Sequence, residues 1–175
     1  CLGGTFTLSV TASASNIGYQ WKKNGGTISG ATNATYTVTN VQLTDFATYS
    51  VAVSGDCGVI NSNNVIVSQV AATAITAQPS TTTPQICLGS PFTINVSATG
   101  AALTYQWQRN NVNISGATAA SYSVASATAT DFASYTVIVS GTCGSLTSSS
   151  ITIVQIPGTV ISAQPTATST LCVGS

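Results

Sequence analysis

Thr44-Asp45-Phe46-Ala47-Thr48-Tyr49-Ser50-Val51 decides how this chain folds, and it returns 86 positions later as Thr130-Asp131-Phe132-Ala133-Ser134-Tyr135-Thr136-Val137. In both copies an acid and a small residue shape a tight corner, the role that turns give to Asp. A tyrosine then opens a strand. The valines that follow it, Val51 and Val53 or Val137 and Val139, alternate with the period of two that marks a half-buried strand. Asp45, Tyr49, Asp131 and Tyr135 are therefore read as corner residues, each phenol turning back to bond main chain just upstream.

The repeat extends well beyond the corner. Cys1-Leu2-Gly3 recurs as Cys87-Leu88-Gly89 and as Cys172-Val173-Gly174, so two periods fit and a third begins. The expected division is residues 1–70 for a first repeat without its first strand, 71–156 for a second, and 157–175 for the first-strand region of a third. A window of a longer chain is expected, or a polymer in which one subunit's tail completes the next; the duplicated Cys-x-Gly favours the window.

Within repeat 1, Phe6, Leu8, Val10 and Ala12 alternate with small polar residues, and Tyr19 and Trp21 share one face of the next strand. Asn24-Gly25 is a strong hairpin signal, because both residues tolerate the positive φ of a two-residue turn. Only fifteen residues separate Trp21 from Tyr36, too few for extra edge strands. Repeat 2 keeps the register, with Phe92, Ile94, Val96, Tyr105, Trp107, Tyr122 and Val124 at matching places. Ile75-Thr76-Ala77-Gln78-Pro79 reads as an edge strand closed by proline, echoed by Ile161-Ser162-Ala163-Gln164-Pro165. No window has sustained helical spacing.

These elements spell an all-β fold of tandem immunoglobulin-like β-sandwiches with a short C′ region. Val41 to Tyr49 is similar to the strand E to strand F corner of antibody light chains, and Trp21 and Trp107 match their buried tryptophan. The usual inter-sheet cysteines between strands B and F are replaced by valines, Val10 and Val51 in repeat 1 and Val96 and Val137 in repeat 2. The expected core is therefore Trp21, Trp107 and these four valines. Taken together, Cys-x-Gly, Tyr-Gln-Trp, Ile-Ser-Gly-Ala-Thr, Asp-Phe-Ala-x-Tyr and Val-Ser-Gly-x-Cys-Gly closely resemble the tandem immunoglobulin-like repeats of large Bacteroidota surface proteins and gliding adhesins, over essentially the whole chain. That resemblance implies secretion to the cell surface and a role as stalk, filament or adhesin array, and it carries no catalytic residues.

Charged residues make up 3% of the chain, against roughly 25% in ordinary soluble domains, and histidine is absent. Nucleic acid and anionic membranes lack the basic patch they would need. Enzymatic activity, cofactors and metal are not expected, because each repeat has one acid at its corner and no convergent partner. Lys22-Lys23 is read as blunting a sheet edge. Asn33, Asn95 and Asn113 head Asn-x-Ser/Thr patterns, which the bacterial resemblance implies are bare. The expected partners are neighbouring immunoglobulin-like repeats, in the same chain or the next subunit. The rival class is an adhesin module gripping glycan or protein through the loops around Asn16 and Asn111.

Five cysteines without Cys-x-x-Cys read as structural bridges of an oxidising, extracellular compartment. Equal spacing suggests the local pairs Cys1–Cys57 and Cys87–Cys143. Topology disagrees, because Cys1 and Cys87 precede strand B at one pole of a sandwich, whereas Cys57 and Cys143 sit in the hairpin at the other. A strand of about six to eight residues separates the poles by roughly 20 Å or more. A disulfide spans only about 4.4 to 6.8 Å between Cα atoms. The expected bridge is therefore Cys1–Cys143, leaving Cys57 for a preceding module and Cys87 for a following one.

Overall fold

A computed structural model describes residues 1–166, and these are all-β apart from two single 3-10 turns at the corners. Cys172 lies outside the described residues. Repeat 1 contains β1 (Thr5–Ser9), β2 (Gly18–Lys23), β3 (Gly26–Thr27), β4 (Thr35–Thr39), β5 (Thr48–Gly55), β6 (Gly58–Asn61) and β7 (Val65–Ile66). Repeat 2 follows with β8 (Ala74–Ser80), β9 (Gln85–Ile86), β10 (Phe92–Thr99), β11 (Thr104–Arg109), β12 (Val112–Asn113), β13 (Ser121–Val124), β14 (Ser134–Gly141), β15 (Gly144–Thr147), β16 (Ile151–Thr152) and β17 (Val154–Gln155).

Each repeat carries the two facing sheets of an immunoglobulin-like sandwich. In repeat 1, β1 pairs with β4, while β3-β2-β5-β6 form the other sheet with β7 added to β5. Repeat 2 has the same plan, β13-β10 against β12-β11-β14-β15, but β8 adds a third strand beside β10 and β9 pairs parallel with β17. The β2–β3 turn is made by Asn24 at φ 50° and Gly25 at φ 82°, the paired positive angles of a tight hairpin. Asn110 and Asn111 do the same in repeat 2, at 49° and 65°.

The cores form where the apolar alternation of the two sheets meets. Trp21 stands opposite Val51 in the β2–β5 register, and both are buried, as are Trp107 and Val137. Each indole N–H donates to a main-chain carbonyl, Asn33 for Trp21 and Ala119 for Trp107, at 2.9 Å. Burying the indoles therefore strands no polar group. Aromatic rings pack in a row across each sandwich, Trp21 with Tyr36 and Tyr36 with Tyr49, then Trp107 with Tyr122 and Tyr122 with Tyr135.

Two expectations need correction. Val10 is only half-buried, whereas its counterpart Val96 is 6% exposed, and Phe6 and Leu8 are likewise wetter than Phe92 and Ile94. The period is the same, but β8 covers one flank of β10 and no described strand lies beside β1. Lys22 and Lys23 do not blunt an edge either, because β2 is paired on both sides. β8 is an edge strand as expected, and Pro79 within it is buried. Residues 157–166 form no strand, and Val160 and Ile161 in this stretch are exposed.

The compact units do not follow the repeats. Unit 1 comprises Cys1–Thr76, Ala98–Thr104 and Val139–Leu146; unit 2 comprises Ala77–Ser97, Tyr105–Ile138 and Thr147–Ser175, described as far as residue 166. One pole of repeat 2 thus belongs to unit 1.

Trp107→Ala removes the largest fully buried side chain and is expected to cost about 3 to 5 kcal/mol in urea unfolding. Val96→Ala is expected to cost more than Val10→Ala in the same measurement. Equal costs at the two valines would contradict the account of the covering strand.

Candidate functional site

The corner follows the same plan in both repeats. Asp45 ends a 3-10 turn, Leu43–Asp45, and its carboxylate accepts the Gln42 N–H at 2.9 Å. The Tyr49 hydroxyl donates to the Asp45 carbonyl at 3.0 Å. In repeat 2 Asp131 accepts the Thr128 N–H and hydroxyl at 2.9 and 2.6 Å, and Tyr135 donates to the Asp131 carbonyl at 2.8 Å. A cation from the facing strand completes each corner, Lys23 to Asp45 at 2.9 Å and Arg109 to Asp131 at 2.8 Å. Four of the chain's six charged side chains are used this way.

The electrostatics follow from those partners. Main-chain donation from Gln42, followed by Lys23, holds the Asp45 carboxyl below its usual range. For Asp131 the Thr128 hydroxyl contributes most, with the Thr128 N–H and Arg109 adding to it. The hydrogen bond to Asp45 raises Lys23. Burial pushes the Tyr135 phenol up to about 12.

The second constellation lies within unit 1. Cys1 and Cys143 are disulfide-bonded, with Cα atoms 5.5 Å apart and 142 residues between them in sequence. Cys1 opens a turn tied to the strand-E end by Gly3 N–H to Val41 carbonyl and Val41 N–H to Gly4 carbonyl bonds. Cys143 lies in the β14–β15 hairpin, whose Thr142 N–H donates to Ala101 at 2.9 Å. In a chain-entropy view, closing a loop of this length stabilises by about 5 kcal/mol. Ala72 and Thr73 fill the space beside the hairpin. A Cβ at Gly141 would stand 2.5 Å from Thr73 Oγ1 and 2.9 Å from the Ala101 carbonyl, and one at Gly100 would stand 3.1 Å from the Thr73 Cα. Glycine at these two positions lets the segment approach the pole. Further along, in unit 2, Gln78 Oε1 accepts both the N–H and the hydroxyl of Ser149, at 2.9 and 3.1 Å.

Cys57 and Cys87 are free and exposed. The structure therefore joins Cys1 with Cys143, and forms neither local pair. Sequence reading missed the roles of Thr73, Gly141, Gln78, Lys23 and Arg109. The recurrence of a basic residue 22 positions before each corner acid was the available signal for the last two. Among the described residues, no group of three or more His, Cys, Asp or Glu could hold a metal ion, and no helix is long and apolar enough to cross a membrane.

Fold and site together define tandem immunoglobulin-like modules closed by an atypical disulfide. Residues 73–157 match a family model described as a domain of unknown function, DUF8696. The chain is 29% identical over 181 aligned positions to the muscle M-line assembly protein unc-89 of Caenorhabditis elegans, covering 91% of this chain and 2% of that protein. Among solved structures, an I-band fragment of titin is similar with a TM-score of 0.61 at 19% identity, over 88% of this chain and 60% of that one. Extracellular domains 3–5 of Drosophila OTK give 0.58 at 17%, over 88% and 57%. The three N-terminal domains of the bacteriophage RB49 outer capsid protein Hoc give 0.50 at 20%, over 88% and 55%. At such identities the likeness establishes the fold.

The corners make stability depend on pH at both ends. Asp131 has a lowered folded-state pKa, so its contribution is present above the ordinary carboxylate value of 3.8 and is lost as pH falls through the folded one. Tyr135 is raised, so its contribution is complete below 10.0 and is lost as pH rises towards about 12. Tyr135→Phe is expected to be less stable than wild type by about 1 kcal/mol at neutral pH, from the lost hydrogen bond. That deficit should shrink between pH 10 and 12, read by urea unfolding followed through tryptophan fluorescence. A constant deficit would contradict the buried-phenol account.

Proposed function

We propose that the chain is a load-bearing segment of a stalk or spacer made of tandem immunoglobulin-like modules in an extracellular bacterial surface protein. The observation that carries this reading is the disulfide from Cys1 to Cys143, which closes covalently over almost the whole described chain. Such bonds persist in oxidising compartments, which supports an extracellular location. The bacterial setting is supported by the resemblance of the repeated motifs to Bacteroidota surface proteins.

A structural role is favoured over ligand capture by the placement of the aromatics. All twelve lie within the described residues, and each is buried or half-buried. Binding surfaces are anchored by exposed Trp, Tyr or Arg. Arg109 is already committed to Asp131. The corner acids are engaged by Lys23 and Arg109 and serve the turns they stabilise, which supports a spacer role.

Force applied at residues 1 and 175 passes directly from Cys1 through the disulfide to Cys143, and the residues between them carry no tension. Single-molecule extension of the oxidised chain should therefore gain only the residues beyond Cys143, roughly 110 Å at full extension. Reduction should add about 500 Å, the length of the released loop. An oxidised chain that extends fully would remove the load-bearing reading.

A further inference from the structure

One sheet of each sandwich ends at β4 in repeat 1 and at β13 in repeat 2. Among the described residues, β4 pairs only with β1 and β13 only with β10. This edge is open in repeat 1, which has a module after it, and in repeat 2, which has one before it, so it follows from the design of each module. Its main-chain groups point outward in a fixed order. The Val10 N–H donates to the Ala34 carbonyl at 3.0 Å, and the Val96 N–H to the Ala120 carbonyl at 3.1 Å. Antiparallel pairing alternates the direction of successive main-chain groups. Tyr36 and Val38 therefore bond to β1, while Thr35, Thr37 and Thr39 turn their N–H and carbonyl groups away from it, as Ser121 and Ser123 do in repeat 2.

Such edges are usually blunted by lysine, proline, a bulge or a covering segment. Among the described residues none of these guards β4 or β13. Neither strand contains a charge or a proline, and each pairs with its neighbour without a skipped residue. The Ser29–Thr32 crossing stands off to leave a groove of 360 Å³ that reaches Thr35 and Thr37. The matching groove in repeat 2, of 250 Å³, reaches Ser121 and Ser123.

We propose that this edge is a contact through which two copies of the chain associate, β4 or β13 of one pairing antiparallel with β4 or β13 of the other. The strand is complementary to itself. With Thr37 opposite Thr37 of the second copy, Thr35 meets Thr39, so the outward main-chain groups of one strand face those of the other. The same register sets Tyr36 against Val38, an aromatic beside a β-branched side chain. Both are half-buried and have area left to cover. β13 offers the same arrangement around Ser123, with Tyr122 against Val124. A two-fold axis through the central residue relates the two halves, as an isologous contact requires. Charge points to the same occupant: a second copy brings no charge to this edge, whereas a charged peptide would bury one without an opposite. Force along one chain and association between two are separate properties, so this proposal and the load-bearing reading can each fail alone.

Sedimentation equilibrium of the full-length chain at low ionic strength, with its free thiols alkylated, tests the pairing. The wild-type chain is expected to self-associate reversibly. Any pairing of these edges sets Thr37 or Ser123 of one copy against Thr37 or Ser123 of the other. Thr37→Lys combined with Ser123→Lys therefore places like charges directly opposite and should weaken association roughly fivefold. Thr37→Glu combined with Ser123→Glu should do the same. Mixing the two variants should restore association to the wild-type level or above, which misfolded chains could not do. The same net charge added by Thr27→Lys with Thr147→Lys, exposed positions on the other sheet of each sandwich, should change association less than about twofold. A wild-type chain monomeric at every concentration, a lysine variant that associates unaltered, a mixture no tighter than its parts, or equal weakening by the control substitutions would each overturn the proposal.

Discussion

A disulfide cannot span a sandwich. The strands that lead into the two cysteine-bearing hairpins, β5 and β14, are eight residues long. At about 3.3 Å per residue each carries the chain some 26 Å from one pole to the other, several times the distance a disulfide bridges. Cysteines at opposite poles of a repeat therefore cannot bond each other, and the bond between Cys1 and Cys143 follows from that limit together with the order of the strands. The bridge, the glycines that admit Ala72 and Thr73, and the Thr142–Ala101 bond all lie in unit 1.

The disulfide adds a constraint to modules whose internal order has other sources. Each repeat supplies its own indole, its own row of aromatic rings and its own corner, and valine occupies the positions where a bridge between the sheets is usual. A chain with so few charges can spare little for its surface. Directing four of six into the corners fixes the turns before β5 and β14, and hydroxyls and amides are left to solvate the rest.

Much of this was legible in the sequence, for physical reasons that differ from residue to residue. Trp21, Trp107, Tyr49 and Tyr135 could be placed because strand alternation and the corner spacing are local properties of the chain. Asn24-Gly25 could be read because its turn demands positive φ. Val10 could not, since its alternation is the same as that of Val96 and only the neighbouring strand decides how deeply it is covered. Lys23 was misread because the pairing of β2 on both flanks is a property of the sheet, absent from any run of residues. Thr73, Gly141 and Gln78 owe their roles to approaches between segments distant in sequence, which no local pattern encodes.

The central claim is that the cysteine opening repeat 1 bonds the hairpin of repeat 2. Digestion of the thiol-blocked, unreduced chain followed by mass spectrometry tests it most directly. The account predicts one peptide pair joining Cys1 to Cys143, with Cys57 and Cys87 recovered in blocked form. A Cys87–Cys143 pair, or a Cys1–Cys57 pair, would contradict it.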